Sequence, residues 1–196
     1  MMPTRSTTSG LTMIELLLTI GLLVVLATIV LVGTGAAREK TKITVATVAA
    51  TTMRDAVRRY AVQMSFYPPD VERGCDPGFM QPLPANPSGL CNIASIICTW
   101  CPVDWQTRAQ NLWDGPYLSH WPLTTPWGGT YDYQYWLTPT ARYGCTVPSG
   151  VYIGIQRYYG DTGGTIPSSA EQYLLDKGID ADGCLNGEAQ VLIKRL

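Results

Sequence analysis

The chain has 196 residues, 15% of them charged, with a formal net charge of −1 and one histidine. That length holds about one domain of ordinary size plus an appendage. The overall charge says little, but split at Met64 it separates into seven Lys/Arg against three acids in front and seven against twelve behind. The acidic rear half argues against a nucleic-acid binder.

Residues 1–10, MMPTRSTTSG, are polar with one basic residue, Arg5. From Leu11 to Val32 the chain is apolar apart from Glu15 and a few small residues. At about 1.5 Å per residue this run rises roughly 33 Å, which matches a bilayer core of about 30 Å and predicts a transmembrane segment over 11–32. A carboxylate within it costs at least roughly 2.5 kcal/mol on insertion scales and requires a partner. From Ala36 the pattern turns amphipathic, with Met53, Val57, Tyr60, Ala61 and Met64 at helical spacing. No proline stands between Pro3 and Pro68, so one helix is expected over 11–64, stopped by Tyr67-Pro68-Pro69-Asp70.

Residues 65–196 are dense in Gly and Pro turns and hold all six cysteines: Cys75, Cys91, Cys98, Cys101, Cys145 and Cys184. An even set confined to one module behind an apolar segment points to disulfides, with pairing undecided among about 15 connectivities. Cys98-Thr99-Trp100-Cys101 is the only C-x2-C pair and His120 the only histidine, which makes a zinc centre a weaker reading and a redox dithiol weaker still. Strands are expected over TYDYQYW (Thr130–Trp136), GVYIGIQRYY (Gly150–Tyr159) and AQVLI (Ala189–Ile193). A short helix is expected over Ser168–Lys177, capped by Ser168 or Ser169 and ended by Gly178. The thirteen aromatics from Trp105 to Tyr159 are expected as core and turn packing.

Two separate motifs carry a family resemblance. Gly10 followed by Leu11-Thr12-Met13-Ile14-Glu15-Leu16, with the acid five positions after the glycine, resembles the class III signal of type IV pilins and type II secretion pseudopilins. Gly115-Pro116-Tyr117-Leu118, Trp121-Pro122 and Pro126-Trp127-Gly128-Gly129-Thr130-Tyr131-Asp132-Tyr133 resemble a segment of major pseudopilin-like proteins, and Glu171 to Gly187 is similar to the close of many pilin-like domains.

The resemblance implies an α+β pilin-like fold: a long N-terminal helix, transmembrane then amphipathic, packed on a small antiparallel sheet with irregular disulfide-bearing loops. It implies a leader (1–10) removed by a prepilin peptidase between Gly10 and Leu11, N-methylation of Leu11, and an exported globular domain over 65–196. The implied role is a structural subunit of a secretion pseudopilus or related filament, a single-pass inner-membrane protein before assembly with its domain in the periplasm or outside the cell. Its partners would be copies of itself, other pseudopilins, an inner-membrane assembly platform, the peptidase and the membrane.

Physical reasoning adds that the new Leu11 amine of one subunit can neutralise Glu15 of another. The pair fixes register and builds an open filament, because the contact is heterologous. The rivals are a minor pilin with an adhesive or DNA-uptake role and a simple signal-anchored exported domain. The positive-inside rule alone, with Arg38, Lys40 and Lys42 after the apolar run, favours a cytoplasmic domain; the signal motif and the cysteines favour export.

No Ser/His/Asp set, G-x-S-x-G or P-loop is present, and no enzyme or cofactor is expected. Asp176, Asp180 and Asp182, with Glu188, carry oxygens that calcium could use, and related major pseudopilins bind calcium in a C-terminal loop. Their spacing does not fit an EF-hand, and Asp180-Ala181-Asp182-Gly183 is expected as a solvated turn.

Overall fold

A computed structural model describes residues 12–83, 96–158 and 163–196, without the side chains of 29–34. Gly10, Leu11 and Cys91 therefore lie outside the described residues. The chain divides into two compact units, Met1–Lys40 and Thr41–Leu196.

Helix α1 runs from Met13 to Met64. It ends where Ser65 takes the left-handed conformation, φ 65°. That is a residue type rarely found there, and Pro68 and Pro69 beyond it cannot resume the helix. The expectation of a transmembrane first half is not met. Among the described residues no helix is long and apolar enough to cross a membrane. The apolar stretch with described side chains, Met13 to Thr28, rises roughly 24 Å, short of a bilayer core of about 30 Å. The long helix read as transmembrane then amphipathic is corrected accordingly, and so is the single-pass inner-membrane placement.

The second unit is α+β. After α1 come α2 (Trp105–Leu112), β1 (Thr130–Trp136), β2 (Thr140–Arg142), β3 (Cys145–Val147), β4 (Gly150–Gln156), α3 (Ser168–Asp176) and β5 (Ala189–Arg195). One antiparallel sheet has the order β1-β4-β5; β2 and β3 form a separate two-stranded hairpin. Tyr133 stands opposite Ile153, which stands opposite Val191. With period two, this register puts Tyr131, Tyr133, Val151, Ile153, Ile155, Ala189 and Val191 on one face. That face and the α1 residues Ala46, Ala50, Met53, Val57, Tyr60 and Met64 make one hydrophobic core. Small Ala46, Ala50 and Ala56, each 0% exposed, leave room for the bulky aromatics among their neighbours in that core.

Close approach explains Gly129. A Cβ there would collide with the Gln156 carbonyl oxygen. The turn is closed by Gly129 N–H donating to Thr125 Oγ1 at 3.0 Å and by Thr125 N–H donating to the Gly129 carbonyl at 2.9 Å.

Disulfides join Cys98 to Cys101 and Cys145 to Cys184, and Cys75 is also disulfide-bonded. The first closes a turn that is held independently. Trp100 stacks on Tyr135 with centroids 3.8 Å apart, and its Nε1–H donates to the Tyr67 and Pro68 carbonyls. The second crosses 39 residues to pin the β2–β3 hairpin to the loop before β5.

Candidate functional site

At the N-terminal end of α1, Thr12 is the cap and Glu15 lies three residues on. The Glu15 carboxylate accepts the Thr12 backbone N–H and the Thr12 hydroxyl, both at 2.8 Å, and the Glu15 N–H reaches back to Thr12 Oγ1 at 3.4 Å. The first turn closes as Leu16 N–H donates to the Thr12 carbonyl. This is a capping box: two N–H groups that no helix can satisfy internally are satisfied by two side chains. The signal T-x-x-E before an apolar run stood in the sequence and explains why an acid is tolerated there. Glu15 thus has a local role besides the intersubunit one inferred for it. Leu11, its inferred partner, lies outside the described residues. Thr12→Ala should fray the first turn, costing about 0.5–2 kcal/mol of local stability. Amide exchange at Met13 to Leu16 reads this directly, while the melting of the Thr41–Leu196 unit should not move.

Beyond the box the helix surface is apolar all round. Met13, Ile14, Leu16, Leu17, Leu18, Ile20 and every residue from Leu22 to Leu26 are large, apolar and at least 49% exposed. Consecutive exposed aliphatics cover every side of a helix at about 100° per residue, and a helix that is apolar all round is normally buried. As an isolated chain the segment leaves all of that surface uncovered.

The second unit has an apolar groove of about 410 Å³ along the C-terminal half of α1. Thr44, Val45, Val48, Ala49, Thr52 and Met53 form one wall, and Leu118, Ser119, His120 and Pro122 the other. Val45 and Val48 are 52% and 60% exposed. His120 is exposed, with Nδ1 3.2 Å from the Ser119 hydroxyl.

The expected solvated turn at Asp180–Gly183 is instead packed inside. Asp180 and Asp182 are 4% and 7% exposed. Asp180 Oδ1 accepts the N–H groups of Asp182 and Gln190, while Asp182 accepts Cys184 N–H and Asn186 Nδ2–H. Burial, then the neighbouring Asp182 carboxylate, pushes Asp180 up; burial raises Asp182. Asp176 stays on the α3 surface, accepting from Gln172, so the structure does not bring it to the other two. Glu188 is fully buried and paired with Arg142 at 3.0 Å. Among the described residues no group of three or more His, Cys, Asp or Glu is arranged to hold a metal ion.

Sequence reasoning missed Glu171 as an organiser of this loop. Its carboxylate accepts Asn186 N–H at 2.6 Å and Gly187 N–H at 2.8 Å. Burial still raises its pKa, with those N–H groups opposing the rise. Buried Asp132 and half-buried Asp70 form another carboxylate pair that sequence did not show. Burial carries Asp132 up to about 8, helped by Asp70, which burial itself carries up to about 6.

No protein-family model matches the chain, and no curated protein or solved structure matches it either.

Proposed function

We propose that the chain is a structural subunit of a type II secretion pseudopilus or a related type IV pilus-like filament, made competent by prepilin peptidase cleavage between Gly10 and Leu11. The observation that carries this reading is the exposed all-round apolar stretch from Met13 to Leu26. Half-burying each of its large aliphatics contributes on the order of 1 kcal/mol per side chain. Covering every side of a helix needs several neighbours, which an assembly of parallel copies supplies. Uncovered, such a surface is an association site.

Glu15 then sets the stagger. A neighbour's Leu11 ammonium, present only after cleavage, is the cation it would pair with inside a desolvated bundle. The capping box keeps the carboxylate anchored at the first turn. Stripping one partner from a buried pair costs about 3–5 kcal/mol, roughly a hundredfold or more in association.

Glu15→Gln separates the two roles of this residue. Glutamine preserves the capping box but carries no charge. The variant should fold and be processed normally, with its amino terminus at Leu11 by mass spectrometry, yet polymerise at least roughly a hundredfold less by sedimentation and electron microscopy. Wild-type polymerisation by Glu15→Gln would remove the ion pair from the mechanism. An intact Met1 terminus on the cellular protein would remove the filament reading itself.

A further inference from the structure

We infer that the groove between Thr44–Met53 of α1 and the Leu118–Pro122 segment is a docking site for a second copy of this chain, and that it receives that copy's Met13–Leu26 stretch. The inference rests on the filament reading and deepens it by naming the receiving surface.

Three observations converge on that occupant. The first is chemical match. His120 is the sole titratable side chain among the groove's lining residues. From Leu16 to Leu26 the exposed stretch has no charge, so this part enters the groove without desolvating a carboxylate or a basic side chain of its own.

The second is shape. The α1 wall repeats Thr44, Val48 and Thr52 on one row and Val45, Ala49 and Met53 on the next. Rows four residues apart with small and β-branched side chains form a shallow helical groove into which the ridge of another helix packs. The volume of about 410 Å³ accommodates a few aliphatic side chains in a row rather than a lone residue. Leu16, Ile20 and Leu23 offer such a ridge at i, i+4 and i+7, each exposed.

The third is asymmetry. Donor stretch and receiving groove are different surfaces of one chain, so each added copy presents a fresh groove and a fresh helix. Such a heterologous contact extends without closing. Val45 and Val48, half or more exposed in the groove wall, would become buried only on assembly.

The test uses the full processed chain with p-benzoylphenylalanine placed at Val48, mixed as isotopically light and heavy copies and irradiated after assembly. Cross-links should join light and heavy copies and map to Met13–Leu26. In parallel, Val48→Asp should lower the assembled fraction at least roughly tenfold. Its thermal melting should stay at the wild-type value, because the side chain is exposed in the single chain; Val45→Asp repeats the measurement independently.

Filaments whose cross-links map elsewhere, or that form as well with both aspartate variants, overturn the groove and leave the filament reading standing. Cross-links confined to one copy overturn the groove as well. A wild-type processed chain that stays monomeric at every concentration overturns both.

Discussion

Tyr60→Ala should lower the melting temperature of the Thr41–Leu196 unit by roughly 10 °C, and Tyr60→Phe should not lower it at all. Tyr60 is 1% exposed and sits among three rings, with centroids 6.0 Å from Phe66, 6.2 Å from Phe79 and 5.7 Å from Tyr117, all edge-on. Removing a buried aromatic costs about 3–5 kcal/mol, from lost transfer energy and from the cavity left behind. At about 2–4 °C per kcal/mol for a unit of this size, the loss is large in a thermal melt followed by circular dichroism.

The phenylalanine variant isolates packing from polarity. Among the described residues the buried Tyr60 hydroxyl has no hydrogen-bond partner. Deleting it removes a desolvation cost and leaves the ring contacts intact, so a neutral or slightly stabilising effect is expected. Equal destabilisation by both substitutions would show that the hydroxyl, not the ring, holds the helix to the sheet.

The second large effect is on pH. Asp132 is buried in β1 with its carboxyl raised to about 8; burial is the main cause and the Asp70 carboxylate the next. An unfolded aspartate titrates near 3.9. Between about pH 4 and 8 the folded chain therefore holds a proton at Asp132 that the unfolded chain has lost. Stability from this group is complete below about pH 4 and is lost as pH rises through about 8. Asp70, raised to about 6 chiefly by burial, adds a loss of the same sign between about pH 4 and 6.

A full proton difference gives a slope of roughly 1.4 kcal/mol per pH unit. Urea unfolding at several pH values should show stability falling from pH 5 to pH 8. Asp132→Asn keeps a neutral acceptor for Gln134 Nε2–H, which donates to Oδ2 at 3.1 Å. It should reduce that dependence, Asp180 retaining a loss of the same sign, and exceed the wild type at pH 8. A wild-type curve that rises across this range would mean that Asp132 is ionised in the folded state.

Local pattern showed well what alternation and periodicity encode. Tyr131, Tyr133 and Tyr135 alternate because their face meets α1, and β1 begins and ends at the expected Thr130 and Trp136. The helix stop after Met64 was equally legible, since two prolines follow. What escaped depends on the opposite face of the sheet. Asp132 and Gln134 point away from the tyrosines and look like a solvent face, yet both are buried. Asp132 on that face interacts with Asp70, Arg73 and Gly74, which come from far upstream in the chain. No window of sequence encodes such layering.

Helix α2 was missed because Trp105-Gln106-Thr107-Arg108 has no apolar repeat; Ala109 is its one buried residue. The apolar run from Leu11 was read as a membrane span from composition and length alone, whereas Met13 to Thr28 rises only roughly 24 Å against a bilayer core of about 30 Å. The capping box at Thr12 was missed because Glu15 was weighed only as a charge.

The pairing of β4 with β5 bears on how the chain matures during synthesis. The core takes Ile43 to Met64 from the first helix and Ala189 and Val191 from the last strand. Ile153 and Ile155 cannot be sealed from water until residues near 191 have left the ribosome, some 130 positions after the helix they pack on. Contacts of such sequence separation pay their chain-closure entropy late. The nascent chain therefore remains open along the β4 edge until its final strand arrives.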